Sequence, residues 1–308
     1  MYDLIVIGAG PAGITASVYA SRKRLNFMVV TRDVGGQTAL TGDIENYTGF
    51  QFVSGPELIG KFRQHLERFT VEVREKERVN SLVRDGEAIK VVSDKAEYHS
   101  KTVIVATGRR PKKLGVGVEG EDEFRNKGLS YCATCDAPLF FDKDVAVVGG
   151  GNSGLDAVLQ LNKIARKIYL IDIAGQFRAD PVMVEKAINS EKVVILNQAM
   201  VKQIYGDKFV KGIKVEQAGE MKDLAVEGVF VEIGSLATSY FVPDVEKNKA
   251  GEVVINCKCE TNIPGIFAAG DVTNVSAKQI IVACGEGCKA ALAAFDYLNK
   301  LQHAGINK

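Results

Sequence analysis

Residues 2–30 read YDLIVIGAGPAGITASVYASRKRLNFMVV. The apolar run from Tyr2 to Ile7 predicts a strand. Gly8, Gly10 and Gly13 then form a turn, and a helix follows with Ile14, Val18 and Leu25 on its apolar side, leading to a second strand at Phe27 to Val30. This is a βαβ unit with a GxGxxG turn in its required place. Gly8 permits the tight turn, Gly10 lets the backbone approach a pyrophosphate, and Gly13 lets helix pack close to strand. A pyrophosphate would rest on the helix N-terminus, against unpaired N–H groups and the positive end of the dipole.

The plan recurs at residues 143–172, KDVAVVGGGNSGLDAVLQLNKIARKIYLID, with a strand at Val145 to Val148, turn glycines Gly149, Gly151 and Gly154, an amphipathic helix, and a strand ending at Asp172. Each copy is followed by an apolar strand ending in glycine, TVIVATG at 102–108 and GVFVEIG at 228–234. Two dinucleotides are expected, one per module. Asp172 stands about 20 residues beyond its turn, where a carboxylate accepts both hydroxyls of an adenosine ribose and repels a 2′-phosphate. Only Arg178 could offer a phosphate a guanidinium, so NADH is favoured over NADPH. In the first copy Asp33 is the one acidic candidate for a ribose, and it reads equally as a solvated turn residue. Near the C-terminus, GIFAAGDVTN pairs a short apolar strand with Gly270 and Asp271. An acid there can bond a chain of hydroxyls such as the ribitol of FAD. One cofactor would then draw on both ends of the chain, which implies a discontinuous domain with the second module inserted.

Residues 130–140, SYCATCDAPLF, lie just upstream of the second turn. Two residues between Cys132 and Cys135 allow a helical turn to bring the sulfurs within bonding distance, so the pair can cycle between dithiol and disulfide. With Cys135 in the first turn of a helix, the dipole favours its thiolate. The three histidines, His65, His99 and His303, fall outside these motifs, which leaves a carboxylate, Asp136, as the acid or base. A rival reading is a four-thiolate zinc site with Cys257 and Cys259, although a second CxxC at zinc spacing is missing. Cys284 and Cys288 read as core thiols on an apolar helix.

A chain of 308 residues is long enough for two domains. With 39 basic against 38 acidic side chains, nothing points to a nucleic-acid partner. No apolar run reaches the roughly 18 residues of a membrane span, and MYDLIVIGAG opens without a charged leader, so a reducing cytoplasm is expected. Six cysteines are too few for a disulfide scaffold.

Laid side by side, GAGPAG, GGQ at 35–37, IENYTG at 44–49, VATG, YCATCDAPLF, VVGGGNSG, CETNIPGIFAAGD and KQIIVACGEGCKAALAAFDYL resemble the low-molecular-weight thioredoxin reductases. The similarity is greater still to the reductase portion of the alkyl hydroperoxide reductase flavoprotein subunit, here expected as that core without its thioredoxin-like extension. The resemblance covers essentially the whole chain. It implies an α/β fold of two Rossmann-like, three-layer domains of glutathione-reductase type: an FAD domain at 1–111 and 245–308, and an inserted nicotinamide-dinucleotide domain at 112–244 carrying the CxxC. It also implies FAD contacts at Gly8, Gly10, Gly13, Gln37, Asn46, Asp271, Lys278, Gln279 and Ile280, to which the reading of the residues adds Asp33 and Gly108, and nicotinamide-dinucleotide contacts along the turn at Gly149, Gly151, Asn152, Ser153 and Gly154, to which the charge argument adds Asp172 and Arg178. Cys135 becomes the thiol that meets the flavin, Cys132 the thiol that attacks the substrate disulfide, and Asp136 the proton donor to the leaving thiol. The expected activity is thioredoxin-reductase-like disulfide reduction, from NADH through FAD to a thioredoxin- or glutaredoxin-like protein that serves a peroxiredoxin, by a homodimer. Alternatives are another donor, ferredoxin or a deazaflavin, or a flavin and thiol redox sensor. Two departures stand out: DIA at 172–174 replaces the His-Arg-Arg run of NADPH-dependent members, and Thr48 replaces a common proline. Because dithiol and nicotinamide share one module and must meet the flavin of the other in turn, a hinge is expected near 109–117 and 240–246, with Gly115 and Gly117 bending.

Overall fold

The computed structural model describes residues 1–40, 43–44, 46–115 and 117–306, with the side chains of Asp43, Thr134, Cys135, Ala304 and Ile306 outside the description. Its helices are α1 (Pro11–Arg22), α2 (Gly55–Glu67), α3 (Ala133–Asp136), α4 (Asn152–Leu161), α5 (Pro181–Ile188) and α6 (Ile280–Ile306). The chain divides into two compact units, an outer one of residues 1–110 and 236–308 and an inserted one of residues 111–235.

In the outer unit, strand Tyr2–Ala9 lies between Phe27–Val34 and Glu97–Val105, all parallel. Glu72–Arg74 extends the sheet on one side, Ala88–Ser93 and Val79–Asp85 on the other, and Ile266–Ala268 also pairs with Glu97–Val105. Leu4, Ile5, Val6 and Ile7 are buried in succession, as a parallel strand covered on both faces requires. Leu4, Val6, Val29 and Ile104 face the α1 and α6 side, while Ile5, Ile7, Met28 and Val103 pack with Phe241, Val242 and Val253. The helices α1 and α6 approach so closely that a Cβ on Gly287 would come within 2.1 Å of the Ala12 carbonyl oxygen.

The inserted unit has a five-stranded parallel sheet in the order Leu129–Ser130, Gly228–Val231, Asp144–Val148, Lys167–Asp172, Val193–Asn197. Val145, Val147, Ile168 and Leu170 meet α4 and α5 residues on one face. Ala146, Val148, Ile171 and Val229 meet Ile204, Ile213 and Val215 of an antiparallel three-stranded sheet on the other. Both units are therefore Rossmann-like, as the duplicated motif predicts.

Three local features differ from the sequence reading. Leu25 does not lie on α1, which ends at Arg22; Arg24 takes φ +56°, a left-handed conformation that breaks the helix, and Leu25 packs on the core from the following turn. The second strand runs on to Val34 and so carries Asp33. The second crossing between units falls at Ser235/Leu236 rather than after residue 244, because Phe241 and Val242 are buried in the outer core. The two crossing segments, Arg109–Pro111 and Ser235–Ala237, pair as a short ribbon.

Candidate active site

The first glycine turn is held by backbone sterics. Gly8 sits at φ +104°, and a Cβ there would lie 2.4 Å from the Ala106 carbonyl oxygen; one on Gly13 would lie 1.9 Å from that of Gly8. Gly10 precedes α1 with no side chain capping the helix, and Pro11 opens it. The N–H groups at this end have no side-chain cap and are flanked by glycine, a cradle that fits a pyrophosphate.

Around it hydrogen bonds and ion pairs join five of the residues proposed for the same ligand, Gln37, Asn46, Asp271, Lys278 and Gln279, in part through Arg109 and Glu252, which the sequence reading missed. Asn46 donates to Gln279 at 3.1 Å, and Gln37 donates to the Arg109 carbonyl at 2.8 Å. The Arg109 guanidinium and Lys278 both pair with Glu252, Lys278 at 3.0 Å, and Lys278 also donates to the carbonyls of Thr273 and Asp271. Burial acts against ionisation of Glu252, yet bonds from Asn248, Lys278 and Arg109 hold its carboxyl below the ordinary value. Asp271 behaves in the opposite way: burial raises it, against the pull of Lys278 and Arg109. Its carboxylate accepts no hydrogen bond among the described residues, so it is half-desolvated and ready for hydroxyl donors. Ile280 begins α6, and Gly108 takes φ +62°. The Asp33 side chain is exposed, with only its carbonyl engaged, by the Thr31 hydroxyl at 2.5 Å.

Glu286, on the buried face of α6, was also missed. Its Oε2 accepts from the Gly270 amide at 2.8 Å and from the Thr273 hydroxyl at 3.2 Å, fixing the turn that presents Asp271. An acid inside the apolar repeat GEGCKAALAAF was the available signal. Glu286→Leu is expected to lower stability by roughly 1–3 kcal/mol, the cost of an orphaned buried amide, visible as a lower thermal midpoint.

In the inserted unit Gly149 sits at φ +133°, and a Cβ on Gly154 would stand 1.8 Å from the Gly149 carbonyl oxygen. Gly151 precedes α4, again without a side-chain cap. Asn152 is taken up by the Asp180 amide at 2.8 Å, while Ser153 is exposed. Asp172, only 4% exposed, accepts from the Ala174 amide at 2.7 Å. Its other oxygen occupies the place a Cβ on Gly150 would need, at 1.9 Å. The amide of Arg178 donates to the Gly150 carbonyl at 2.9 Å, so the three residues meet at one edge of the turn.

Cys132 immediately precedes α3 and is disulfide-bonded; the Cys135 side chain lies outside the described residues. The Ser130 hydroxyl accepts from the Cys132 amide at 3.0 Å and donates to the Asp136 carboxylate at 2.5 Å, which ties Asp136 to the start of the turn. The Ala133 amide donates to Glu232 at 3.1 Å. Cys259 is buried, with burial pushing its thiol up to about 12, and Cys257 is exposed. Among the described residues no group of three or more histidine, cysteine or acidic side chains could hold a metal ion, and no helix is long and apolar enough to cross a membrane.

Comparison with known proteins extends this picture. The pyridine nucleotide-disulphide oxidoreductase family matches residues 2–287. The chain is 40% identical over 301 residues to a Staphylococcus aureus alkyl hydroperoxide reductase subunit, covering 96% of this chain and 59% of that protein. It is 39% identical over 300 residues to a Bacillus subtilis protein named NADH dehydrogenase, covering 96% and 58%. The chain thus spans under two thirds of these curated relatives. Among solved structures, thioredoxin reductase of Lactococcus lactis in its FR conformation superposes with a TM-score of 0.82 at 32% identity, covering 97% of this chain and 100% of that one. Matched along nearly all of its length in sequence and in fold, the chain belongs to the pyridine nucleotide-disulphide oxidoreductases.

Proposed function

We propose that this oxidoreductase is an FAD-dependent disulfide reductase that draws electrons from NADH and delivers them, through a disulfide between Cys132 and Cys135, to a thioredoxin- or glutaredoxin-like protein. The observation that carries the reading is a disulfide-bonded Cys132 at the head of α3, in the same unit as an uncapped, glycine-lined dinucleotide turn. Bound FAD supplies two-electron chemistry between a dihydronicotinamide and a disulfide. The chain's own residues do the rest. Gly8, Gly10 and Gly13 seat the FAD pyrophosphate against α1, Asp271 accepts ribityl hydroxyls, and Gln37, Asn46, Lys278 and Gln279 hold the surrounding frame. In the inserted unit Gly149, Gly151 and Gly154 seat the second pyrophosphate, and Asp172 selects a ribose with a free 2′-hydroxyl. Cys132 attacks the partner's disulfide, Cys135 resolves the mixed disulfide, and Asp136, steadied by Ser130, gives the departing thiolate its proton. The family resemblance further suggests a homodimer serving a peroxiredoxin system in the cytoplasm.

Anaerobic titration with NADH tests the donor. Flavin absorbance is expected to bleach within seconds on addition of about two equivalents, since the first is shared with the disulfide. Absence of bleaching over minutes would instead indicate a ferredoxin or deazaflavin donor.

A further inference from the structure

Glu232 has no part in the scheme above, yet it touches both of the inserted unit's functional turns. It directly follows strand Gly228–Val231, and its amide donates to the Val148 carbonyl at 2.8 Å. Its own carbonyl oxygen stands 2.3 Å from where a Cβ on Gly149 would be. Its carboxylate accepts from the Ala133 amide at 3.1 Å, and that amide belongs to the peptide bond leaving Cys132. A titratable carboxyl is thereby held one peptide unit from the cysteine that must ionise to attack. Burial pushes Glu232 up to about 7, the Ala133 amide works against the rise, and Asp156 adds to it.

The titratable groups around Glu232 are few. Asp156 faces it from α4, and its own strand contributes none. Among the described side chains the CxxC segment contributes Cys132 and Asp136, the last engaged by Ser130. The glycine turn at 149–151 carries no ionisable side chain.

We propose that Glu232 is a positioning residue for Cys132, acting through the Ala133 peptide: the charge state of its carboxylate sets how readily the Cys132 thiol ionises. The proposal rests on Cys132 being a thiol that cycles. Only protons move, with no change in electron count: with Glu232 ionised the Cys132 thiol keeps its proton, and with Glu232 neutral it releases that proton to solvent more readily. Two like charges so close disfavour each other, so the doubly charged form is the one avoided and the two ionisations are coupled. Near neutrality the protonated Glu232 then permits a thiolate that the ionised form would oppose. Because GVFVEIG places this acid at the end of an apolar strand, the feature belongs to the chain's own sequence.

The test is alkylation of the dithiothreitol-reduced holoenzyme by iodoacetamide from about pH 5 to pH 9, read by mass spectrometry on the Cys132 peptide. The unaltered protein should give a profile with two inflections. Glu232→Gln keeps an acceptor for the Ala133 amide and removes the charge; its profile should collapse to one inflection, with alkylation about twice as fast at pH 7 and about three times as fast at pH 8. The gain is small at pH 7 because about half of Glu232 is already neutral there, and it grows as the acid ionises and opposes the thiolate. Superimposable profiles overturn the proposal. Should Glu232→Gln fail to fold, the exposed Asp156→Asn carries the test: the lower inflection should move to lower pH, and an unmoved inflection overturns the assignment. Turnover is not read, so a chain inactive on protein disulfides would fail the proposed function while leaving this measurement decisive.

Discussion

Cys132→Ser is expected to reduce turnover of a thioredoxin-like disulfide by roughly a thousandfold or more while leaving the bleaching of flavin by NADH intact. The magnitude follows from chemistry that has no substitute. A hydroxyl at position 132 is ionised to a negligible extent at neutral pH and forms no mixed disulfide, so the covalent step is lost rather than slowed. The selectivity follows from placement. Cys132 precedes the short α3, and the residues proposed to seat FAD belong to the outer unit, with its own sheet and core. NADH oxidation coupled to the protein disulfide, measured beside anaerobic flavin titration, checks both halves. Full disulfide turnover in the serine variant would remove Cys132 from the relay; loss of both activities would mean that the substitution has damaged the unit. The companion Cys135→Ser should keep the attacking thiol but not the resolving one, and so accumulate a mixed disulfide with the true partner.

The parts of the architecture legible in the sequence are those fixed by short-range sterics. Gly8 and Gly13, like Gly149 and Gly154, stand where a single Cβ would collide with backbone, so their spacing survives as a pattern. Runs such as Leu4–Ile7 announce parallel strands because both faces are covered. What was not legible depends on partners far apart in the chain. Arg109 and Glu252 meet across 143 positions, and neither residue's neighbours betray the pairing. Glu286 could be suspected only as an acid on an apolar helix face, and its purpose becomes visible once Gly270 is seen to donate to it. Helix ends were also misjudged: Leu25 has the right spacing for α1, but the left-handed Arg24 stops the helix before it. In sequence Asp172 has the spacing of a ribose acid while Asp33 reads equally as a solvated turn residue, and in the structure the Asp33 side chain is exposed whereas Asp172 is clamped against its glycine turn.

That contrast sets the second large expectation. Asp172→Asn should raise the KM for NADH by about thirtyfold, and Asp33→Asn should leave flavin retention nearly unchanged. At position 172 an amide oxygen can still accept from Ala174, so the loop stays in place, and what is lost is the charge on the hydrogen bonds from the ribose. Bonds to a charged partner contribute about 1.5–3 kcal/mol each and neutral ones about half as much. A net loss of about 2 kcal/mol corresponds to roughly thirtyfold in affinity. NADPH should respond in the reverse sense, because the substitution removes the carboxylate that repels a 2′-phosphate while the exposed Arg178 stays beside Gly150. The ratio of kcat/KM for NADH over NADPH should therefore fall by about a hundredfold, more than either substrate shows alone. Steady-state kinetics with both dinucleotides measures that ratio directly. An unchanged ratio would mean that the Asp172 carboxylate serves only the Ala174 turn, and that the selection of dinucleotide lies with other residues of the inserted unit.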